Sequence, residues 1–144
     1  MERITSFCID HNVLLPGLYL NRVDGNVFTY DLRFKAPNKG DYLSVAAMHT
    51  VEHLFATVSR NSEWKDRVVY FGPMGCRTGF YLLLFDSADK QAVVRFVTDC
   101  VEKCLALDSI PGSKKIECGN YKSHNLPSAK KYLSEYLQVL KSLQ

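Results

Sequence analysis

The chain has 144 residues, of which 47% are apolar and 23% charged, the balance of a soluble globular protein, which excludes a disordered or fibrous chain. That length suits one compact domain, residues 1–144, with a single sizeable core. A formal net charge of +3 without any long Lys/Arg block points to neither nucleic acid nor a polybasic membrane surface.

Met1 to Asp10 mix charged and apolar residues, so neither a signal peptide nor a spanning helix is expected and the cytoplasm is the expected location. The five cysteines, Cys8, Cys76, Cys100, Cys104 and Cys118, form an odd set with no C-x-x-C pair. Disulfides are therefore not expected, and each thiol is a packing residue, a metal ligand or a nucleophile.

Leu18 to Val23 and Val27 to Phe34, separated by Asp24, Gly25 and Asn26, predict a β-hairpin. In its second strand Phe28, Tyr30, Leu32 and Phe34 point to a core, and Thr29, Asp31 and Arg33 form a polar face. From Ser44 to Arg60 the recurrence of Ala47, Val51, Leu54 and Val58 predicts a helix. Val68 to Phe71 and Gly79 to Phe85 read as two strands joined by the glycine-rich turn between them. Val93, Phe96, Val97, Cys100, Val101 and Cys104 form one stripe of a long amphipathic helix over Ser87 to Leu107. Pro111 and Gly112 stop it, Lys114 to His124 is irregular, and a last helix starts near Pro127 with Ala129, Leu133, Tyr136, Leu137 and Leu140 inward. Intermixed strands and helices, with hairpins dominant, predict a two-layer α+β fold, a largely antiparallel sheet covered by helices.

The sharpest chemical feature is His49-Thr50-Val51-Glu52-His53, an H-x-x-E-H string on the first long helix. At 100° per residue both imidazoles and the carboxylate project from one face. Two histidines one turn apart can bind one metal ion, with the acid beside them free to move protons. A catalytic metal usually takes a third protein ligand. Cys118, next to Gly119 in an irregular stretch, and Cys76, next to Arg77 in the glycine-rich turn, are equal candidates by position, and Arg77 could favour a thiolate at Cys76. Cys100 and Cys104 fall on an apolar stripe and read as core, and Cys8 reads as strand packing. His11 and His124 are lone histidines whose simplest reading is a surface or hydrogen-bonded residue.

Ser6-Phe7, Asp10-His11, Tyr30-Asp31-Leu32-Arg33, His49 to His53, Gly72 to Gly79 and Cys118-Gly119-Asn120-Tyr121, in this order from about Arg3 to Leu140, together resemble the S-ribosylhomocysteine lyase (autoinducer-2 synthase) family. The resemblance implies an α+β homodimer with active sites at the subunit interface and one divalent ion per subunit, natively Fe²⁺ and replaceable by Zn²⁺ or Co²⁺. It implies His49, His53 and Cys118 as ligands, Cys76 and Glu52 as catalytic acid/base residues, and Ser6, His11 and Arg33 as lining the substrate pocket. Many family members carry Asp where this chain has Tyr70. The implied reaction takes S-ribosylhomocysteine to homocysteine and 4,5-dihydroxy-2,3-pentanedione by carbonyl migration and β-elimination, a step in the methyl cycle and in quorum-sensing signal synthesis. Two other readings suit H-x-x-E-H alone. One is an inverted zinc peptidase or other metallohydrolase, which needs no Cys76; the other is a structural module with a closed four-ligand site holding both cysteines.

Overall fold

Gly25, at φ +60°, reverses the chain between β1 (Gly17–Asp24) and β2 (Val27–Arg33), a left-handed conformation that glycine adopts without strain. In this computed structural model, which describes residues 1–144, β4 (Gly79–Phe85) pairs with β2 and β3 (Val68–Pro73) pairs with β4. The sheet is open, ordered β1-β2-β4-β3, and antiparallel at every pairing. With three helices the fold is α+β, as the sequence predicts.

The helices begin where a side chain can cap free backbone N–H groups. Ser44 caps α1 (Val45–Arg60) by accepting from the Ala47 N–H. Asp89 does the same for α2 (Lys90–Leu105) through Ala92, so this helix starts three residues after the expected Ser87 and ends two before Leu107. Asn125 caps α3 (Leu126–Ser142) through Ser128, with Pro127 in the first turn, where its missing N–H costs nothing.

Helices α1 and α3 lie on one sheet face, against β3 and β1, and α2 packs on both. The face they cover carries Leu18, Tyr30, Leu32, Phe80, Leu82 and Leu84, which join a single cluster of 26 buried residues. Every residue expected to face inward from α3 is in it, and so are Cys100 and Cys104. No helix is long and apolar enough to cross a membrane.

At the other sheet face one expectation holds with an addition and one fails. Thr29, Asp31 and Arg33 do point away from the helices, but all three are buried, Asp31 completely. Register explains this: Asp31 sits between Tyr19 on β1 and Tyr81 on β4, and the 3₁₀ turn Thr5–Phe7 lies against β1. Cys8, expected to pack in a strand, instead ends that turn, exposed, with its N–H donating to the Thr5 carbonyl.

Candidate metal centre and thiol cleft

Helix α1 places His49 and His53 one turn apart on its half-buried face, with Glu52 between them in sequence. The long connection from α2 to α3 folds back over that face. Its Pro111 carbonyl accepts from His53 Nδ1 at 2.9 Å, and Gly112, at φ +68°, lies close enough to His53 that a Cβ would sit 3.4 Å from the ring nitrogen. Further along, the Ser123 carbonyl accepts from His49 Nδ1 at 2.7 Å, and Asn125 N–H donates to Thr50 Oγ1 at 2.9 Å. The connection is therefore tied to α1 at three points, and it carries Cys118 and His124 to the two helix histidines.

The result is a group of four donors, His49, His53, Cys118 and His124, whose ligand atoms all lie within 4.8 Å of one another. Cys118 Sγ is 3.4 Å from His49 Nε2, 3.7 Å from His124 Nε2 and 4.0 Å from His53 Nε2. The rings of His49 and His124 stack at 3.9 Å, and His53 stands edge-on to both. Hydrogen bonds fix all three tautomers. The Ser123 and Pro111 carbonyls can only accept, so His49 and His53 carry their protons on Nδ1. Thr50 spends its single hydroxyl proton on the Ala46 carbonyl at 3.0 Å and so accepts from His124 Nδ1 at 3.0 Å. Three Nε2 lone pairs and one sulfur thus converge, each imidazole held from behind by a second group, the arrangement metal-binding histidines require. Imidazole and thiolate together fit a borderline-soft divalent ion such as Fe²⁺, Co²⁺ or Zn²⁺. Burial and the two neighbouring histidines push the His124 imidazole below its ordinary range, which favours the neutral, ligating form.

Of the two cysteines left as equal candidates, the geometry brings Cys118 to the histidines and leaves Cys76 elsewhere. The two cysteines do not meet in one closed site; the fourth donor of the group is His124, which is hydrogen-bonded, to Thr50, as one of its two expected settings had it, and in addition faces the other three donors. The only sequence trace of its role is that it follows Cys118 in the same irregular stretch. Glu52 is half-buried and lines a cleft of about 250 Å³ with His53, Pro111, Gly112 and Glu117.

Cys76 lies in the turn between β3 and β4, in a cleft of about 320 Å³ that it shares with Ser6, His11, Arg33 and Tyr81. The cation hydrogen-bonded to its sulfur is Arg33, whose Nη1 is 3.9 Å from Sγ, while the adjacent Arg77 lies over the Tyr42 ring at 5.5 Å. Arg33 is fixed by a two-pronged pair with Asp31, one bond at 3.1 Å and a second, shorter one from Nη2. Burial pushes the Asp31 carboxyl up, and Arg33 pulls it back only in part. No cavity of the chain is lined by both this thiol group and the histidine cluster. Tyr70, exposed on β3, turns back over Gly72, where a Cβ would collide with its ring.

The chain matches the S-ribosylhomocysteinase (LuxS) family over residues 4–144. It belongs to that family. Full-length relatives agree: a protein of Borreliella burgdorferi named S-ribosylhomocysteine lyase is 47% identical over 150 residues, covering 100% of this chain and 96% of its own length. Proteins of the same name from Finegoldia magna and Clostridium beijerinckii are 42% and 43% identical, covering 100% and 95% of this chain and 95% and 90% of their own. The protein is thus a carbon–sulfur lyase of a family that serves autoinducer synthesis, and its His/His/Cys/His group is compatible with a metal-dependent member.

Proposed function

We propose that this chain cleaves the C5–S bond of S-ribosylhomocysteine, releasing homocysteine and 4,5-dihydroxy-2,3-pentanedione, the autoinducer-2 precursor used in quorum sensing, as a cytoplasmic homodimer with one Fe²⁺ per subunit. Zn²⁺ or Co²⁺ substitutes. The observation that carries this reading is the division of the two cysteines: Cys118 joins the histidines, while Cys76 stays unligated beside Arg33, His11 and Ser6. A hydrolase has no need of that second thiol.

In this reading His49, His53 and Cys118 hold the ion, with His124 stacked on His49 as a fourth donor within reach. A divalent ion bound by these residues would supply Lewis acidity toward a sugar carbonyl or hydroxyl oxygen and so make the neighbouring C–H more acidic. The chain's own residues move the protons. Arg33, Ser6 and His11 bind and orient the substrate in the thiol cleft. Cys76, as thiolate, takes the proton from C2 and returns one to C1, so the carbonyl moves from C1 to C2; a second exchange moves it to C3. Each C–H bond broken is matched by one formed, and no external oxidant or reductant is required. With the carbonyl at C3, Glu52 takes the C4 proton, the electron pair forms C4=C5, and the homocysteine thiolate leaves C5. Protonation of C5 turns the resulting enol into the methyl ketone of the dione, and homocysteine takes up the remaining proton.

The separation of the two clefts within one chain supports a site shared between subunits, the metal half of one facing the thiol half of its partner. Exposed apolar side chains flank both halves, Ile4, Phe7, Val13 and Leu15 near the thiol and Ile116 and Tyr121 near the metal group, surfaces that a dimer would cover. The reading is tested by incubating the anaerobic, iron-loaded protein with S-ribosylhomocysteine and trapping vicinal dicarbonyls with an aromatic 1,2-diamine. A trapped five-carbon adduct equal in amount to homocysteine is expected. Homocysteine accompanied by free ribose would mean hydrolysis and would overturn it.

A further inference from the structure

Between Arg33 and Cys76 stands a residue to which neither the motifs nor the family reading gives a role. Thr78 is 1% exposed, and its hydroxyl oxygen lies 2.7 Å from Arg33 Nη1 and 3.1 Å from Cys76 Sγ. A guanidinium only donates, so the Thr78 oxygen accepts from Arg33 and its one proton is left for the sulfur. The backbone holds this geometry from both sides. The Thr78 carbonyl accepts from the N–H groups of Phe34 and Lys35, both at 2.9 Å, and the next residue, Gly79, runs so close to β2 that a Cβ would come within 2.4 Å of the Leu32 carbonyl oxygen. Asp31 in turn fixes the guanidinium. A single hydrogen-bonded chain therefore links the buried carboxylate to the exposed thiol: Arg33 donates to Asp31 on one side and to Thr78 on the other, and Thr78 donates to Cys76.

We propose that Thr78 is a positioning residue for Cys76: its hydroxyl, polarised by Arg33, donates to the sulfur, aims it into the cleft and favours its thiolate form. A hydrogen bond to the charged form of a group stabilises that form, and more so where the donor is buried and its proton has no competing acceptor. The inference rests on the reading of Cys76 as the proton carrier. The charged and titratable groups around the sulfur are Arg33 and Asp31 on β2, Tyr81 on β4, His11 from the N-terminal segment, Tyr42 ahead of α1 and Arg77 of the same turn. Only Thr78 and Arg33 make a hydrogen bond to the sulfur.

The test follows the rate of Cys76 alkylation by iodoacetamide against pH, by mass spectrometry of the Cys76 peptide, in the metal-loaded wild type, Thr78→Val and Thr78→Ser. Thr78→Val lowers the alkylation rate about ten-fold on the rising limb of the profile, and kcat for thiol release falls with little change in KM. Thr78→Ser, which keeps the hydroxyl, restores both. Profiles for wild type and Thr78→Val that superimpose, or a Thr78→Ser variant as impaired as Thr78→Val, would overturn the proposal. Should circular dichroism show that valine disturbs the fold, Thr78→Ala, which removes the same hydroxyl with less bulk, carries the comparison. Loss of the mechanistic reading is distinguishable: full activity in Cys76→Ala refutes that reading, while the alkylation profile still decides the role of Thr78.

Discussion

At the scale of single residues, the five thiols divide by environment, and the division can be counted. Cys8 and Cys76 are exposed, Cys118 is half-buried among the histidines, and Cys100 and Cys104 are fully buried. Burial pushes the Cys100 thiol up to about 12 and that of Cys104 higher still, so both stay protonated and unreactive at pH 8. Labelling of the native metal-loaded protein at pH 8 therefore modifies two cysteines, a chelator adds Cys118 as the third, and only denaturant exposes the last two; mass spectrometry gives the count. Early labelling of Cys118 in the loaded protein would remove it from the ligand set. Asp31 offers a second test. It and Arg33 are both buried as an ion pair, and Asp31→Ala strands the guanidinium, so urea unfolding should show a loss of about 3–5 kcal/mol. Asp31→Asn, which keeps an acceptor for Arg33, should cost less.

At the scale of elements, the strands and helices were legible because their signals are periodic. The stripe from Val93 to Cys104 and the inward set of α3 emerge from 3.6-residue spacing alone, and the hairpin from Gly25 between two alternating runs. What periodicity could not show was what lies on each face. Thr29, Asp31 and Arg33 alternate as a solvated strand face would, and only the register that sets Tyr19 and Tyr81 beside Asp31 reveals that the face is closed. His49 and His53 were legible as a pair because they share a helix. His124 was not, because its approach depends on how an irregular connection is pinned to His49, Thr50 and His53 of α1. The helix caps moved the start of α2 for a similarly local reason, since Asp89 rather than Ser87 reaches a free N–H. Close packing of elements is testable at glycines. Gly79→Ala forces a Cβ against the Leu32 carbonyl of β2, and overpacking of this kind costs about 1–3 kcal/mol or more. Gly119→Ala, with open space around it, should leave the melting temperature within a degree or two of wild type. Equal effects from the two would mean that β2 and β4 do not approach as closely as described.

At the scale of the whole molecule, one chain carries the four-donor group and the thiol group in separate clefts. If the sites are completed across a two-fold interface, inactive Cys76→Ala and Glu52→Gln chains complement each other. In a mixture allowed to exchange subunits, half the dimers are mixed and each carries one intact site, so thiol release recovers to about a quarter of the wild-type rate. No recovery, with exchange verified by mass, would place both residues of a site in the same subunit. The core of 26 buried residues contains none of the four donors of the histidine–cysteine group, so chelation is expected to leave the circular dichroism spectrum of the chain in place.

The central claim, that a metal group and a separate thiol together cleave a carbon–sulfur bond, is tested most directly by the release of free thiol from S-ribosylhomocysteine. The anaerobically purified, iron-loaded protein is followed with a thiol reagent beside Cys76→Ala and Glu52→Gln. The account predicts release by the wild type and a loss of at least about 10²-fold in both variants, the scale of a missing proton carrier. Wild-type rates in Cys76→Ala, or no release from protein shown to carry one metal per chain, would contradict it.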